Sequence, residues 1–361
     1  MKDIPVVMFH SVNSCPLPHP MKPLMNTVDE FSAYLKTFSA LGYQMISMDD
    51  LLCKRYDEKR PFAVFTFDDG FADNLSVAMP LMKEYGARGT IFVNPDFYSD
   101  VADENSPYGF MTRGEWKTAG DSGVFDLQAH TMTHEFIFCS DRLLDVYTKD
   151  KFKKYYWLSW MLFPESVHHW NSQAESYRDR IPEGFPIFEY TRRLSASKFT
   201  PKQESVQMAI AAYQSGERDL NVLGKIAAEG ATVESDAEFL SVVRDQLLSC
   251  KRILEESTGK SVHTLCFPGG GYTDEVLAVA KEAGYRCYMR ASRLKEGNNF
   301  DHLKRLEQGE FVGLNRMSFS KIRKKLIPGR FLSALVCRIS VQAYQKKRFW
   351  VWAKKVLRKI G

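Results

Sequence analysis

Nowhere in the 361 residues is there an apolar run of about 18, the length that a bilayer-spanning helix needs, so no stretch reads as a transmembrane segment. No two cysteines are spaced as CxxC. The seven stand far apart, at 15, 53, 139, 250, 266, 287 and 337, and an odd, scattered set argues against both a disulfide framework and a zinc knuckle. Free thiols in a reducing compartment are the expectation. No internal repeat and no low-complexity linker is found, so nothing points to a repeat array. The opening, MKDIPVVMFHSV, lacks the marks of a signal peptide, because it carries an acid at Asp3 and its apolar run stops at His10. Together these absences lead us to expect a cytoplasmic protein.

Acidic residues are also missing from the end of the sequence, where none follows Glu310. Thirteen Lys or Arg lie between Lys321 and Lys359, so the overall charge of +5 hides a split. Residues 1–320 hold 36 basic against 44 acidic side chains, a net of −8, while the final 41 residues carry +13. An acidic body offers no basic groove for nucleic acid, and none is expected as a partner. The apolar fraction of 44% and the charged fraction of 26% are those of a globular protein that can bury a sizeable core.

What is present alternates between two periods. Val6–Phe9, Tyr43–Ser47, Ala63–Phe67, Thr90–Val93, Val124–Ala129, His263–Phe267 and Tyr285–Met289 read as buried strands. Between them stand helical patterns. Asp29 to Leu41 places Phe31, Leu35, Phe38 and Leu41 on one face, and a second helix runs from about Asn74 to Gly86. Ser235 caps a third, carrying Phe239, Val243, Leu247, Cys250 and Leu254, and a fourth lies between Thr273 and Gly284. Such alternation implies a parallel sheet, open or closed into a barrel.

Two segments break the rhythm. Residues from about 138 to 234 look like an insertion, with 12 aromatics between Tyr147 and Tyr190, among them Trp157, Trp160 and Trp170. Its two readings are a small helical subdomain with its own core, or a lid or platform for a sugar or lipid substrate. The other is the basic tail, 321–361. There Leu332, Leu335, Val336 and Ile339, then Phe349, Trp350, Ala353, Leu357 and Ile360, recur at helical spacing among lysines and arginines. This suits an amphipathic helix on an anionic membrane surface, or one packed on the body with its basic face in water.

Three local motifs carry chemistry. Phe65-Thr66-Phe67-Asp68-Asp69-Gly70 sets two carboxylates at the C-terminal end of a strand, where α/β folds place their sites, although Asp-Asp-Gly alone also makes an ordinary turn. Gln128-Ala129-His130-Thr131-Met132-Thr133-His134 spaces two histidines by four, which on a helical turn puts both imidazoles on one face around one ion. Cys266-Phe267-Pro268-Gly269-Gly270-Gly271-Tyr272 offers amides to an oxyanion, or is simply a tight turn.

Taken together, and in this order, these motifs resemble those of the NodB-like polysaccharide deacetylases, the family-four carbohydrate esterases. Thr66–Gly70 and His130–His134 match the family's first two motifs in full. The resemblance covers about residues 4–137 and 236–320, with softer likeness at Val7-Met8-Phe9-His10, Gly89-Thr90-Ile91-Phe92-Val93 and Phe267-Pro268-Gly269-Gly270. It implies a distorted (β/α) barrel of about seven strands, spanning 1–320 around the insertion. It also implies a divalent metal, zinc by preference, on Asp69, His130 and His134, with Asp68 as general base. Pro268, Gly269 and Tyr272 would meet the oxyanion and substrate.

The sequence departs from the family at two places. Cys266 stands where many members carry an arginine that orients the base. Arg316 is the candidate substitute and Arg305 the fallback. The late histidine that serves many members as general acid has no counterpart, since His302 lies in a polar, loop-like stretch; His10 is the candidate for that role. The resulting expectation is removal of an N-acyl group from an amino sugar in a polysaccharide, a lipid-linked glycan or a sugar precursor, with the tail on the inner membrane face. The alternatives are another amide hydrolase of the same fold, such as a deformylase, or a glycan- or lipid-binding module that has lost turnover.

Overall fold

The computed structural model describes residues 4–14, 24–97, 109–164, 176–290 and 299–316. One parallel sheet dominates it. In spatial order its strands are Val6–Phe9, Phe62–Phe67, Gly89–Val93, Phe125–Ala129, Thr264–Cys266, Cys287–Arg290 and Val312–Asn315, with Gln44–Ile46 pairing beside Phe62–Phe67. These seven strands in one path form the nearly closed barrel that the motif resemblance implied. Asn299 clasps the remaining gap: its side-chain amide donates to the carbonyls of Ile4 and Asn315, at 2.9 Å each, and its carbonyl accepts from the Asn315 amide at 2.7 Å.

Successive residues of a strand face opposite ways, and here both faces are buried. Val7, Phe9, Phe65, Phe67, Ile91 and Val93 pack outward against helices, with Phe31, Leu35 and Phe38 of the helix Val28–Ala40 closing over them. The helix Asp236–Thr258 adds Phe239, Val243, Leu247, Cys250 and Leu254 to the same layer, the five positions its 3.6-residue spacing picks out. Its start is fixed by a capping box between Ser235 and Glu238, and Gly259 ends it in the left-handed conformation. Val6, Val64, Phe92, Cys266, Met289, Val312 and Leu314 take the opposite parity and build a second cluster. The helix expected from Asn74 begins as a π-helical turn over Asn74–Ala78 before continuing as Met79–Glu84.

The insertion differs from a purely helical subdomain. It is framed by an antiparallel ribbon of Phe136–Val146 against Pro186–Arg192, with irregular register between Phe138 and Asp145. Aromatic and β-branched residues alternate there, which suits a pleated, half-buried surface. The short strands Phe199–Thr200 and Thr232–Val233 pair as well, around the helices Trp157–Leu162, Gln203–Gln214 and Leu220–Ala228. A second hydrophobic cluster forms here from Phe138, Tyr147, Trp157, Leu158, Phe188, Phe199 and Ile210 among others, and Phe71 joins it from outside the insertion. The basic tail 321–361 and Trp170 lie outside the described residues.

Adjacent leucines of the long helix provide a test of this packing. Leu247 is fully buried, whereas Leu248 is 46% exposed. Leu247→Ala should cost about 2–5 kcal/mol of unfolding free energy, and Leu248→Ala within about 0.5 kcal/mol, as read by denaturant titration. Equal losses would contradict the assigned face.

Candidate metal and acid–base site

Strand parity explains how residues far apart in sequence meet at one end of the barrel. Counting by twos along the face of the second cluster, Val6 and Met8 lead to His10, Val64 and Thr66 to Asp68, and Val312 and Leu314 to Arg316. Asp126 and Gln128, which face away from the outer apolar layer, lead to His130 in the same way. Each of these four side chains is thus the next residue of that face beyond the C-terminal end of its strand. Backbone bonds continue the ladders into the site, with the Asp68 amide donating to Phe9 at 3.0 Å and the His130 amide to Val93 at 2.9 Å.

Asp68 and Asp69 are both 3% exposed. Arg316 Nη1 lies 2.5 Å from Asp68 Oδ1, and His10 Nε2 lies 3.8 Å from Oδ2. Arg316 therefore stands directly beside Asp68. The fallback Arg305 does not, since it is exposed and pairs with Glu310. The Cys266 thiol lies 3.9 Å from both Asp68 oxygens. Burial opposes the charge on Asp68, but Arg316 first, then His130 and His10, outweigh it and hold the carboxyl below its ordinary value. His302 is a correction. It sits on the helix Asn299–Glu307, buried, rather than in a loop, because the apolar Leu303 and Leu306 dock that helix on the barrel.

Asp69 faces the histidines. Its Oδ1 is 3.4 Å from His130 Nε2 and 3.5 Å from His134 Nε2, and this buried oxygen has no hydrogen-bond partner. The histidines do not ride on a helical turn. Residues 130–135 form an irregular loop in which Thr131 takes φ +67°, and the Thr131 hydroxyl donates to the Thr133 carbonyl at 2.7 Å. Asp69 itself takes φ +71°, a left-handed conformation unusual outside glycine and a form of strain that clusters at functional sites. Burial opposes ionisation of Asp69, but His134 and His130 outweigh it and hold its carboxyl far below the usual range. The two imidazoles are shifted oppositely. Burial pulls both down; Cys266 and the carboxylates then raise His130 above its ordinary value, while Arg192 helps keep His134 below.

Among the described residues, two overlapping groups have ligand atoms within 4.8 Å of one another: Asp69, His130 and His134, and Asp68, His130 and Cys266. The second is already committed. Arg316 occupies Asp68, and burial raises the Cys266 thiol, keeping it protonated. The first fits a divalent ion: an orphaned carboxylate oxygen converges with two ring nitrogens, the His₂–carboxylate set of catalytic zinc sites.

The glycine turn packs under the insertion. Gly269 takes φ +64°, and a Cβ there would come within 3.4 Å of Arg192 Nε. A Cβ on Gly271 would fall 2.1 Å from Ser195 Oγ, so a larger residue there would have to displace that hydroxyl. The amides of Gly270 and Gly271 donate to Phe267 and Pro268, which leaves the Gly269 amide as the candidate oxyanion donor of the three. The Tyr272 ring lies against Phe267 and Tyr288, with its hydroxyl buried and unpartnered.

Other residues that support the site were given no such role from sequence. Asp73 accepts from Ser11 Oγ at 2.5 Å, the Val12 amide at 3.1 Å and Asn13 Nδ2 at 3.4 Å, while Asn74 Nδ2 holds the His10 carbonyl at 2.8 Å. This pins the loop that carries His10; burial raises the Asp73 carboxyl to about 6. Arg192 Nη1 lies 2.8 Å from both His134 Nδ1 and the His134 carbonyl, 58 residues away in sequence. Trp160 meets the edge of His134 at 6.5 Å and Tyr156 packs on Trp160. Aromatic density marked this region, but no spacing rule ties it to the histidine loop.

The Arg316–Asp68 pair has a pH signature. A carboxyl with a depressed folded-state value adds stability above its unfolded value, near pH 4, and loses it as the pH falls through the depressed one. Arg316→Met strands a buried carboxylate, so at pH 7 it should cost about 3–5 kcal/mol. The gap from the parent should shrink on acidification from pH 7 to below 4, measured by urea unfolding. A gap independent of pH would show that Arg316 does not hold an ionised Asp68.

The family model for polysaccharide deacetylase matches residues 55–156 and 236–288, on either side of most of the insertion. YxkH of Bacillus subtilis (strain 168), whose name assigns it provisionally to the polysaccharide deacetylases, is 28% identical over 134 residues, 36% of this chain. The match spans 43% of that relative's own length. Among solved structures, a de-N-acetylase from Aggregatibacter actinomycetemcomitans is similar with a TM-score of 0.54 at 14% identity, covering 89% of this chain and 99% of that one. The BpsB deacetylase domain from Bordetella bronchiseptica gives 0.53 at 15% identity, covering 88% and 97%. At these identities the two structures speak for the fold alone. The motifs in their order and the family match on both sides of the insertion place this chain in the polysaccharide deacetylase family.

Proposed function

We propose that this protein is a metal-dependent hydrolase that removes an N-acyl group, acetyl in the first instance, from an amino sugar of a glycan. The observation that carries the reading is Asp68, a buried carboxylate kept ionised by Arg316, with His10 on its other side and Asp69, His130 and His134 adjoining. A module that only binds glycan has no need of that arrangement. Support also comes from the family match and from the similar proteins described above, which are named as deacetylases.

In this reading Asp69, His130 and His134 hold the ion, and Asp68 stays free of it. The ion, when bound, would supply the positive charge that acidifies water and polarises the acyl carbonyl. Asp68 accepts the proton as water attacks the carbonyl carbon, and Arg316 fixes the carboxylate for that transfer. The Gly269 amide faces the oxygen on which charge develops. His10, whose side chain is 16% exposed and so open to substrate, hands a proton to the departing amine. The products are a carboxylate and a free amino sugar, which balances the water consumed.

Asp68→Asn should keep the bound metal and lose acetate release from an N-acetylated amino-sugar oligomer by about 10² to 10⁴. His10→Ala should slow release by a similar factor. If Asp68→Asn turns over as fast as the parent, the base lies elsewhere and the reading falls.

A further inference from the structure

Arg192 ends the ribbon strand Pro186–Arg192 and reaches from the insertion into the histidine loop. Its guanidinium lies over the Phe136 ring, 3.6 Å from the centroid, and its flank meets Gly269, so it is packed in place on two sides. From there Nη1 stands 2.8 Å from His134 Nδ1 and equally far from the His134 carbonyl oxygen.

An arginine can only donate. Facing Arg192, His134 Nδ1 therefore accepts, and the single hydrogen of the neutral ring sits on Nε2, the atom 3.5 Å from Asp69 Oδ1. His130 is arranged the other way. Its Nδ1 lies 2.8 Å from the Cys266 carbonyl oxygen, which can only accept, so Nδ1 carries a hydrogen and Nε2, 3.4 Å from Asp69 Oδ1, is the nitrogen left for a ligand. Metal-ligating histidines normally follow the His130 pattern, with the distal nitrogen donating to a carbonyl or carboxylate. One of the two histidines is thus set for ligation and the other is turned against it by a neighbouring cation.

We infer that Arg192 is a positioning residue that opposes metal loading, and that its contact with His134 Nδ1 and ligation through His134 Nε2 exclude one another. On loading, Arg192 gives up Nδ1 and keeps the His134 carbonyl, and the ring hydrogen moves from Nε2 to Nδ1. The insertion thereby sets the metal affinity of the barrel site. This inference rests on the metal reading proposed above.

The test uses the full chain stripped of metal, with zinc affinity measured by competition against a chromophoric chelator. Arg192→Met, which removes the donor and keeps the packing, should bind zinc about tenfold more tightly than the parent. Nitrogen-15 NMR of the metal-free parent should place the His134 ring hydrogen on Nε2, and Arg192→Met should move it towards Nδ1. Arg192→Gln, read the same way, serves if the methionine variant does not fold. Unchanged or weaker zinc binding in a folded variant, or an Nδ1 hydrogen in the parent, would overturn the inference and make Arg192 a plain support for the loop. A parent that binds no zinc would instead overturn the metal reading itself.

Discussion

Two neighbouring carboxylates, Asp68 and Asp69, lie almost wholly out of water at the mouth of the barrel. An isolated buried charge costs several kcal/mol, so the fold has to bring compensating groups to both oxygen sets. It does so from three directions. Arg316 arrives from the last described strand, His10 from the first, and His130 and His134 from the loop after the fourth strand of the path, while Asp69 is turned towards them by a left-handed backbone. The barrel closes with Asn299 bridging Ile4 and Asn315, the residue next to Arg316. Closure and charge compensation are therefore one constraint: a barrel that opened at that seam would carry Arg316 away from Asp68.

Much of this was legible because strands impose a period of two. Once Val64 and Thr66 are assigned to one face, Asp68 has to follow on it, and the same counting aligns His10 and His130; Arg316 came from the family resemblance instead, because no strand was read over Val312–Asn315. The long helix was equally plain, since Phe239 through Leu254 repeat at 3.6 and Ser235 with Glu238 announce its start. Less was legible where partners are remote or the backbone is irregular. The spacing of His130 and His134 suggested a helical turn, but it is satisfied by a loop with Thr131 at positive φ. His302 looked like part of a loop because its polar neighbours obscure the apolar Leu303 and Leu306 beneath. The insertion's aromatics announced a second core without revealing the ribbon that frames it.

The insertion bears on the site more directly than its own hydrophobic core requires. The Ser195 hydroxyl stands where a Cβ on Gly271 would fall, Arg192 stands against Gly269 and His134, and Trp160 meets the His134 ring. A loop whose backbone is already irregular gains its geometry from such contacts. Histidine orientation is thus shared between a barrel strand, through the Cys266 carbonyl behind His130, and the insertion, through Arg192 behind His134.

The central claim is that Asp69, His130 and His134 form the metal centre while Asp68 stays outside it. Anomalous diffraction at the zinc absorption edge, from crystals of the zinc-loaded protein, tests it most directly. The account predicts one strong peak at roughly 2.0–2.2 Å from a carboxylate oxygen of Asp69 and from Nε2 of both histidines. A peak ligated instead by Asp68 and Cys266, or no peak at the barrel mouth, would contradict it.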